Sequence, residues 1–243
     1  MPELRRISKL NPALGVCMAL LSGVSMANTF HVHLYSKLAN AAPNLNPEVL
    51  QSALTAYECA RVHGIESSSR LAVIDFSLPS SEQRLWIFDL ESQELVLRDL
   101  VAHGKNSGLA SATAFSNIEG SHQSSLGLFM GSESYRGQHG YSLRLDGLEP
   151  GVNDLARQRA IVIHGADYVD QSWVAEYGRI GRSHGCPAVS QGTIREVVDN
   201  LKGGQLVFSY YPDQEWLASS AFLNCKSEAR LAEADSPLGS ADG

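Results

Sequence analysis

Positive charge is in short supply: 19 lysines and arginines face 26 aspartates and glutamates, a net charge of −7 over 243 residues. That deficit speaks against nucleic acid or an anionic membrane surface as partner. Apolar length is also missing. The stretch from Ala13 to Val24 falls short of the roughly 20 residues that a bilayer-spanning helix needs, so no integral membrane span is expected. Cysteine is scarce enough, at four residues, for each to be considered singly. A metal-ligand set is lacking too: His31 and His33 flank Val32 with no third ligand nearby, so neither a metal nor a cofactor is assigned. No internal repeat and no second domain are visible.

What is present begins with a leader. Arg5, Arg6 and Lys9 precede the apolar stretch, and Ser25-Met26-Ala27 gives the small-x-small pattern that signal peptidase cuts, so residues 1–27 read as a signal peptide. An exported protein, periplasmic or in the cell envelope, is expected. Cys17 follows Val16, a poor lipobox, and lipidation is not expected. Cleavage after Ala27 leaves 243 less 27, or 216 residues, enough for one sizeable domain with a core. Cys59 and Cys225 are then either a disulfide in an oxidising compartment or two unrelated thiols.

The chemistry concentrates in Arg182-Ser183-His184-Gly185-Cys186-Pro187 and in Ile161-Val162-Ile163-His164-Gly165 upstream. A thiol is mostly protonated at its free pKa and becomes a good nucleophile when an imidazole or a backbone dipole favours the thiolate. Cys186 reads as that nucleophile. His164 closes a short β-branched apolar run, which fixes it at a strand end and suits it to be the base. Gly185 permits a tight turn before the thiol, and the Gly185 and Cys186 amides are candidate oxyanion donors. His184 is assigned to shaping the site rather than to taking the proton.

Along the chain, residues 28–45 read as a polar, irregular leader. Asn46-Pro47-Glu48 then starts a helix whose apolar positions Val49, Leu50, Ala53, Leu54, Tyr57 and Ala60 recur at helical spacing up to His63-Gly64, making a brace within an N-terminal segment 28–70. From Leu71 the period turns to β: Leu71–Phe76, a hairpin of Leu85–Leu90 and Glu94–Leu97, then Ser125–Met130, Tyr141–Leu145, the His164 strand and Gln205–Tyr210. The Ser/Ala-rich stretch from Gly104 to Asn117 suits a mobile cleft rim. Asn153–Arg159 reads as a helical passage, Gln171–Tyr177 as a lid with Trp173 and Tyr177 as covers, and Ser190 as the cap of a helix reaching Leu201. A C-terminal segment, 213–243, is read as largely a disordered tail, its composition beyond Asn224 being too polar to bury a core.

The Ser183-His184-Gly185-Cys186 and Ile163-His164-Gly165 pair resembles the signature of the murein L,D-transpeptidase catalytic domain family, the YkuD-like proteins. Phe115-Ser116-Asn117, Ser125-Leu126-Gly127-Leu128-Phe129, Tyr135-Arg136-Gly137-Gln138-His139-Gly140 and Gly181-Arg182-Ser183 are similar to it in order and spacing, over roughly residues 71–212. Pro187-Ala188 departs from the hydrophobic-then-Asn/Arg pair usual after the cysteine. The resemblance implies a mostly β protein, a β-sandwich with a few flanking helices, acting on peptidoglycan stem peptides. It implies a Cys186 acyl-enzyme passed to an amine, and carbapenem-type inhibitors. Arg182, Ser183, His139 and Tyr135 would form the substrate-binding set, although Arg182 and His139 read equally as surface residues. Hydrolysis of the same acyl-enzyme, by an L,D-carboxypeptidase or endopeptidase, and a catalytically inert wall-binding module are the alternatives.

Overall fold

The computed structural model describes residues 32–65 and 68–225. The expected signal segment, His31 and the tail from residue 226 lie outside the described residues.

Residues 32–41 are helical (α1), not irregular as the sequence suggested. Leu34 and Leu38 recur every fourth position and, with Ala42, are buried, so a narrow apolar stripe inside a polar segment suffices to seat the helix. Helix α2 (Pro47–Val62) starts where its signals lie: the Asn46 side chain accepts the Glu48 N–H at 2.8 Å, and Pro47 occupies the first turn. Its buried face includes Val49, Leu50, Ala53, Leu54, Tyr57 and Ala60, and it packs on β1 and β8 as the expected brace.

Eight strands follow: β1 (Arg70–Asp75), β2 (Leu85–Asp89), β3 (Glu94–Asp99), β4 (Gly127–Gly137), β5 (Gly140–Gly147), β6 (Val162–Gly165), β7 (Ala188–Val189) and β8 (Gln205–Tyr210). The protein is therefore mostly β, with the short helices α3 (Gln171–Tyr177), α4 (Ile194–Leu201) and α5 (Gln214–Ser219) beside the strands. All eight strands hydrogen-bond into one sheet ordered β3-β2-β1-β8-β4-β5-β6-β7. β1 and β8 pair in parallel at its centre, where continuous apolar runs such as Leu71–Ile74 and Leu206–Phe208 are buried. The β2–β3 and β4–β5 hairpins are antiparallel.

The sheet nearly closes into a barrel. Just past β3, at one end of the strand order, Ala102 makes an antiparallel bridge to Ala188 of β7 at the other end, its N–H donating to the Ala188 carbonyl at 2.8 Å. Two residues on, Gly104 bridges Ser183 in parallel. This seam lies directly beside the Cys186 loop.

Asn153–Arg159 forms a series of turns rather than a helix. The buried Asn153 spends its side chain on the backbone, donating to the Leu126 and Leu128 carbonyls at 2.9 and 3.0 Å and accepting the Glu149 N–H at 2.8 Å, the competition that keeps Asn out of helix interiors. Helix α4 begins four residues after Ser190, whose hydroxyl accepts the Thr193 N–H in the preceding turn. Within the C-terminal segment, α5 buries Trp216, which donates its indole N–H to the buried Glu149 carboxylate at 3.2 Å. Cys59 and Cys225 are joined as a disulfide, with Cα atoms 5.8 Å apart, and tie α2 to the chain just after α5. No helix among the described residues is long and apolar enough to cross a membrane.

Candidate active site

Strand pairing brings the two sequence elements together. β6 and β7 run parallel with His164 opposite Ala188, and the His164 N–H reaches the Pro187 carbonyl. Cys186, half-buried and the one free cysteine among the described residues, stands in the loop entering β7. Its sulfur faces the Ala160 carbonyl at 3.6 Å. The His164 ring is buried, with Nδ1 3.0 Å from the Gly165 carbonyl. A carbonyl can only accept, so Nδ1 carries the proton and the lone pair sits on Nε2. Thiol and imidazole are thus each bonded to backbone carbonyls rather than to one another.

Electrostatics hold both groups neutral at rest. Burial pushes the Cys186 thiol up, opposed by the Val162 N–H and by the Arg159 guanidinium. Burial, opposed by the Gly165 carbonyl and reinforced by His139, holds His164 below the ordinary imidazole value. A neutral imidazole and a neutral thiol on adjoining segments are the forms from which proton transfer between them can start near neutral pH.

The loop bearing Cys186 is fixed by Ser183. Its buried hydroxyl donates to the Cys186 carbonyl at 2.6 Å and accepts the Gly185 N–H at 3.1 Å, so Ser183 turns inward to shape the loop. The Gly185 amide is thereby committed within the turn, and of the two expected oxyanion donors the Cys186 N–H is the one left. Gly185 has φ +123°, and a Cβ there would meet the Gln123 carbonyl at 2.9 Å, so both conformation and space require glycine.

The family model of the L,D-transpeptidase catalytic domain matches residues 41–210. The chain belongs to that family. Solved structures similar to it include an L,D-transpeptidase from Mycobacterium smegmatis, at 13% identity over 59% of each chain with a TM-score of 0.38. Another is an L,D-transpeptidase from Stackebrandtia nassauensis, at 12% identity over 73% of this chain and 76% of that one, TM-score 0.36. A third is an L,D-transpeptidase in complex with imipenem, at 15% identity over 58% of this chain and 59% of that one, TM-score 0.36. The chain thus spans 59% of the length of the M. smegmatis protein. No curated protein sequence matches it.

The other residues singled out in this L,D-transpeptidase domain fall in different places. Arg182 donates through Nη1 to the Lys105 and Gly108 carbonyls, both at 2.9 Å, and so braces the neighbouring loop. His184 is exposed, stacked on His122 with ring centroids 4.6 Å apart and with its Nε2 3.3 Å from Lys105 Nζ. His139, at the β4–β5 turn, stacks on His164. Tyr135 lies farther along that hairpin, its ring covered by the Arg144 guanidinium at 4.5 Å. Helix α3 buries none of its side chains; Trp173 packs on Tyr177 and edge-on to Tyr168, whose hydroxyl is pushed up to about 12 by burial and by Cys186. One group of ligand-type side chains among the described residues is compact enough for a metal, Cys59, His63 and Cys225, and its two sulfurs are already bonded together.

Sequence reasoning missed the supports. The segment expected to be a mobile rim is pinned: Lys105 N–H donates to the Ser183 carbonyl and Ser183 N–H to the His103 carbonyl. Ser124 accepts the Gly104 N–H and donates to the Gly185 carbonyl, both at 3.0 Å. Arg159 was missed as well. It donates to the Ser116 and Gln123 carbonyls and to the Ser121 and Ser125 hydroxyls, all neutral acceptors, which leaves its charge uncompensated near the thiol. Its one sequence signal is its place immediately before the Ala160–Ile163 run.

Proposed function

We propose that the chain is an exported peptidoglycan L,D-transpeptidase with Cys186 as nucleophile and His164 as base. The observation that carries this reading is the contact of His164 Nδ1 with the Gly165 carbonyl at 3.0 Å, which assigns the proton to Nδ1 and leaves Nε2 to accept one, on the strand paired to the one that Cys186 enters. His164 Nε2 takes the thiol proton as sulfur attacks the L-centre carbonyl of the third stem residue. The C–N bond to the D-residue at position four breaks, and the imidazolium returns the proton to the departing amine. A side-chain amine of a neighbouring stem then attacks the thioester and gives a proton to His164; the C–S bond breaks, and the imidazolium returns that proton to the departing sulfur. The Cys186 N–H faces the negative charge that develops on the carbonyl oxygen in both steps. Arg182 and Ser183 act here by fixing the loop, and substrate contacts fall to the exposed rim around His184 and α3.

The test is digestion of purified stem tetrapeptides with the protein, with products identified by mass. Crosslinked dimers plus the free D-residue support transpeptidation; tripeptide alone assigns the same acyl-enzyme to hydrolysis, and unchanged substrate leaves a wall-binding module. Cys186→Ala should abolish turnover, and His164→Ala should lower it by at least about 100-fold. His184→Ala should retain measurable activity. The same nucleophile should open a carbapenem lactam, and intact mass should show one drug added, absent in Cys186→Ala.

A further inference from the structure

Beside the Cys186 loop, three side chains from three segments converge with no acid among them. Lys105 Nζ lies 3.3 Å from His184 Nε2, and His122 stacks on the His184 ring at 4.6 Å with planes 18° apart. An ammonium group has only hydrogens to offer, so His184 Nε2 is the acceptor and its remaining proton is on Nδ1. The ammonium keeps two further N–H groups, and the cluster presents donors and a positive charge toward solvent. None of the ion pairs among the described residues includes Lys105, in a chain whose net charge is −7. The Lys105 backbone is bonded on both sides to the cysteine loop, its N–H to the Ser183 carbonyl and its carbonyl to Arg182, which fixes the cluster to residues 182–184. His122 has φ +55°, a left-handed backbone conformation that a histidine holds at a cost. Partial desolvation, then Lys105 and His184, hold the His122 imidazole below its ordinary value, and no acidic neighbour offsets them.

We infer that Lys105, His184 and His122 form a carboxylate-binding subsite beside the nucleophile, which holds a carboxylate of the peptide substrate during acylation. A carboxylate is acceptor-only and anionic, the complement of the Lys105 ammonium, which keeps two free N–H groups, and of the imidazole N–H groups beside it. The inference rests on the L,D-transpeptidase reading for the identity of the substrate, but not for its test.

The test compares two small alkylating agents of nearly equal size on the full chain, iodoacetate with a carboxylate and neutral iodoacetamide. The readout is the ratio of their second-order rates at Cys186. Lys105→Gln should lower the iodoacetate-to-iodoacetamide ratio about two- to fivefold at low ionic strength. Lys105→Glu should lower it further and Lys105→Arg should keep it, while added salt should compress the differences. His122→Gln makes the same comparison from a separate loop, and circular dichroism checks that each variant is folded. An unchanged ratio in both Lys105→Gln and Lys105→Glu overturns the subsite. An iodoacetamide rate equal in the native protein and in His164→Ala counts instead against the Cys186–His164 reading, so the two failures are distinct.

Discussion

The imidazole of His139 lies over that of His164, with ring centroids 4.5 Å apart and planes 27° from parallel. His139 sits in the two-residue link between β4 and β5 and is exposed, so the hairpin tip covers the buried His164 ring and stands between it and water. In this structure His139 contacts His164, the proposed base.

Removing that cover should move the pH dependence of catalysis. Burial, and to a lesser degree His139, hold the His164 pKa down, and His139→Ala relaxes both. The acid limb of kcat/KM, which reports protonation of the free base, should therefore shift to higher pH in His139→Ala. A profile superimposable on that of the native protein would show that the stacked ring does not govern the base.

Arg159 brings an uncompensated positive charge near the thiol, opposing the upward push of burial. In Arg159→Gln the Cys186 pKa should rise, read as a displacement of the alkylation-rate profile to higher pH, and Arg159→Lys should recover part of it. The same change breaks four bonds to segment 116–125, so some loss of stability should accompany it. The pH displacement is the part that a purely structural role would not produce.

The Cys59–Cys225 bond closes a loop across 166 residues of sequence. Replacing both cysteines by serine should lower unfolding free energy by roughly 2–4 kcal/mol, measured by urea titration, with Cys186 retained. Non-reducing peptide mapping of the native protein should recover the two half-cystine peptides joined.

His103, fully buried, takes a hydrogen bond from Arg84 on Nδ1 at 2.8 Å. Burial, then the Arg84 charge, lower its pKa to about 4. The folded value is depressed, so the unfolded chain binds more protons between the two values and stability rises with pH there. The contribution is fully present above about pH 6.5 and is lost as pH falls toward 4, a change on the order of 3 kcal/mol. Urea titrations across this window should show a steeper acid loss for the native protein than for His103→Asn; parallel curves would remove His103 as the source.

Features fixed by local spacing were legible in the sequence. The Asn46 cap, the helix over Pro47–Val62, the β2–β3 hairpin, the His164 strand and the motif around Cys186 each depend on residues a few positions apart. The α1 stripe was missed because Leu34 and Leu38 are thinly spread among polar residues, and Asn153–Arg159 was misread because one side chain diverts the backbone into turns. The supports of the site were the least legible. Arg159 with Gln123, Ser124 with Gly185 and Lys105 with His184 lie 36 to 79 residues apart and meet only once the strands are assembled into the sheet. Ser183 and Gly185 were found, but whether their hydrogen bonds face the substrate or the loop is decided by a turn conformation that residue identity alone does not specify.

The bridge between Ala102 and Ala188 also bears on how a peptide can approach. At Ala188, β7 has β6 on one side and Ala102 on the other, so its backbone has no free ladder there to which another chain could add. Docking by strand addition to β7 is closed off at Ala188, two residues from the thiol. For the proposed peptide substrate, that leaves its charged and side-chain groups, more than its main-chain register, as the handles for recognition beside β7.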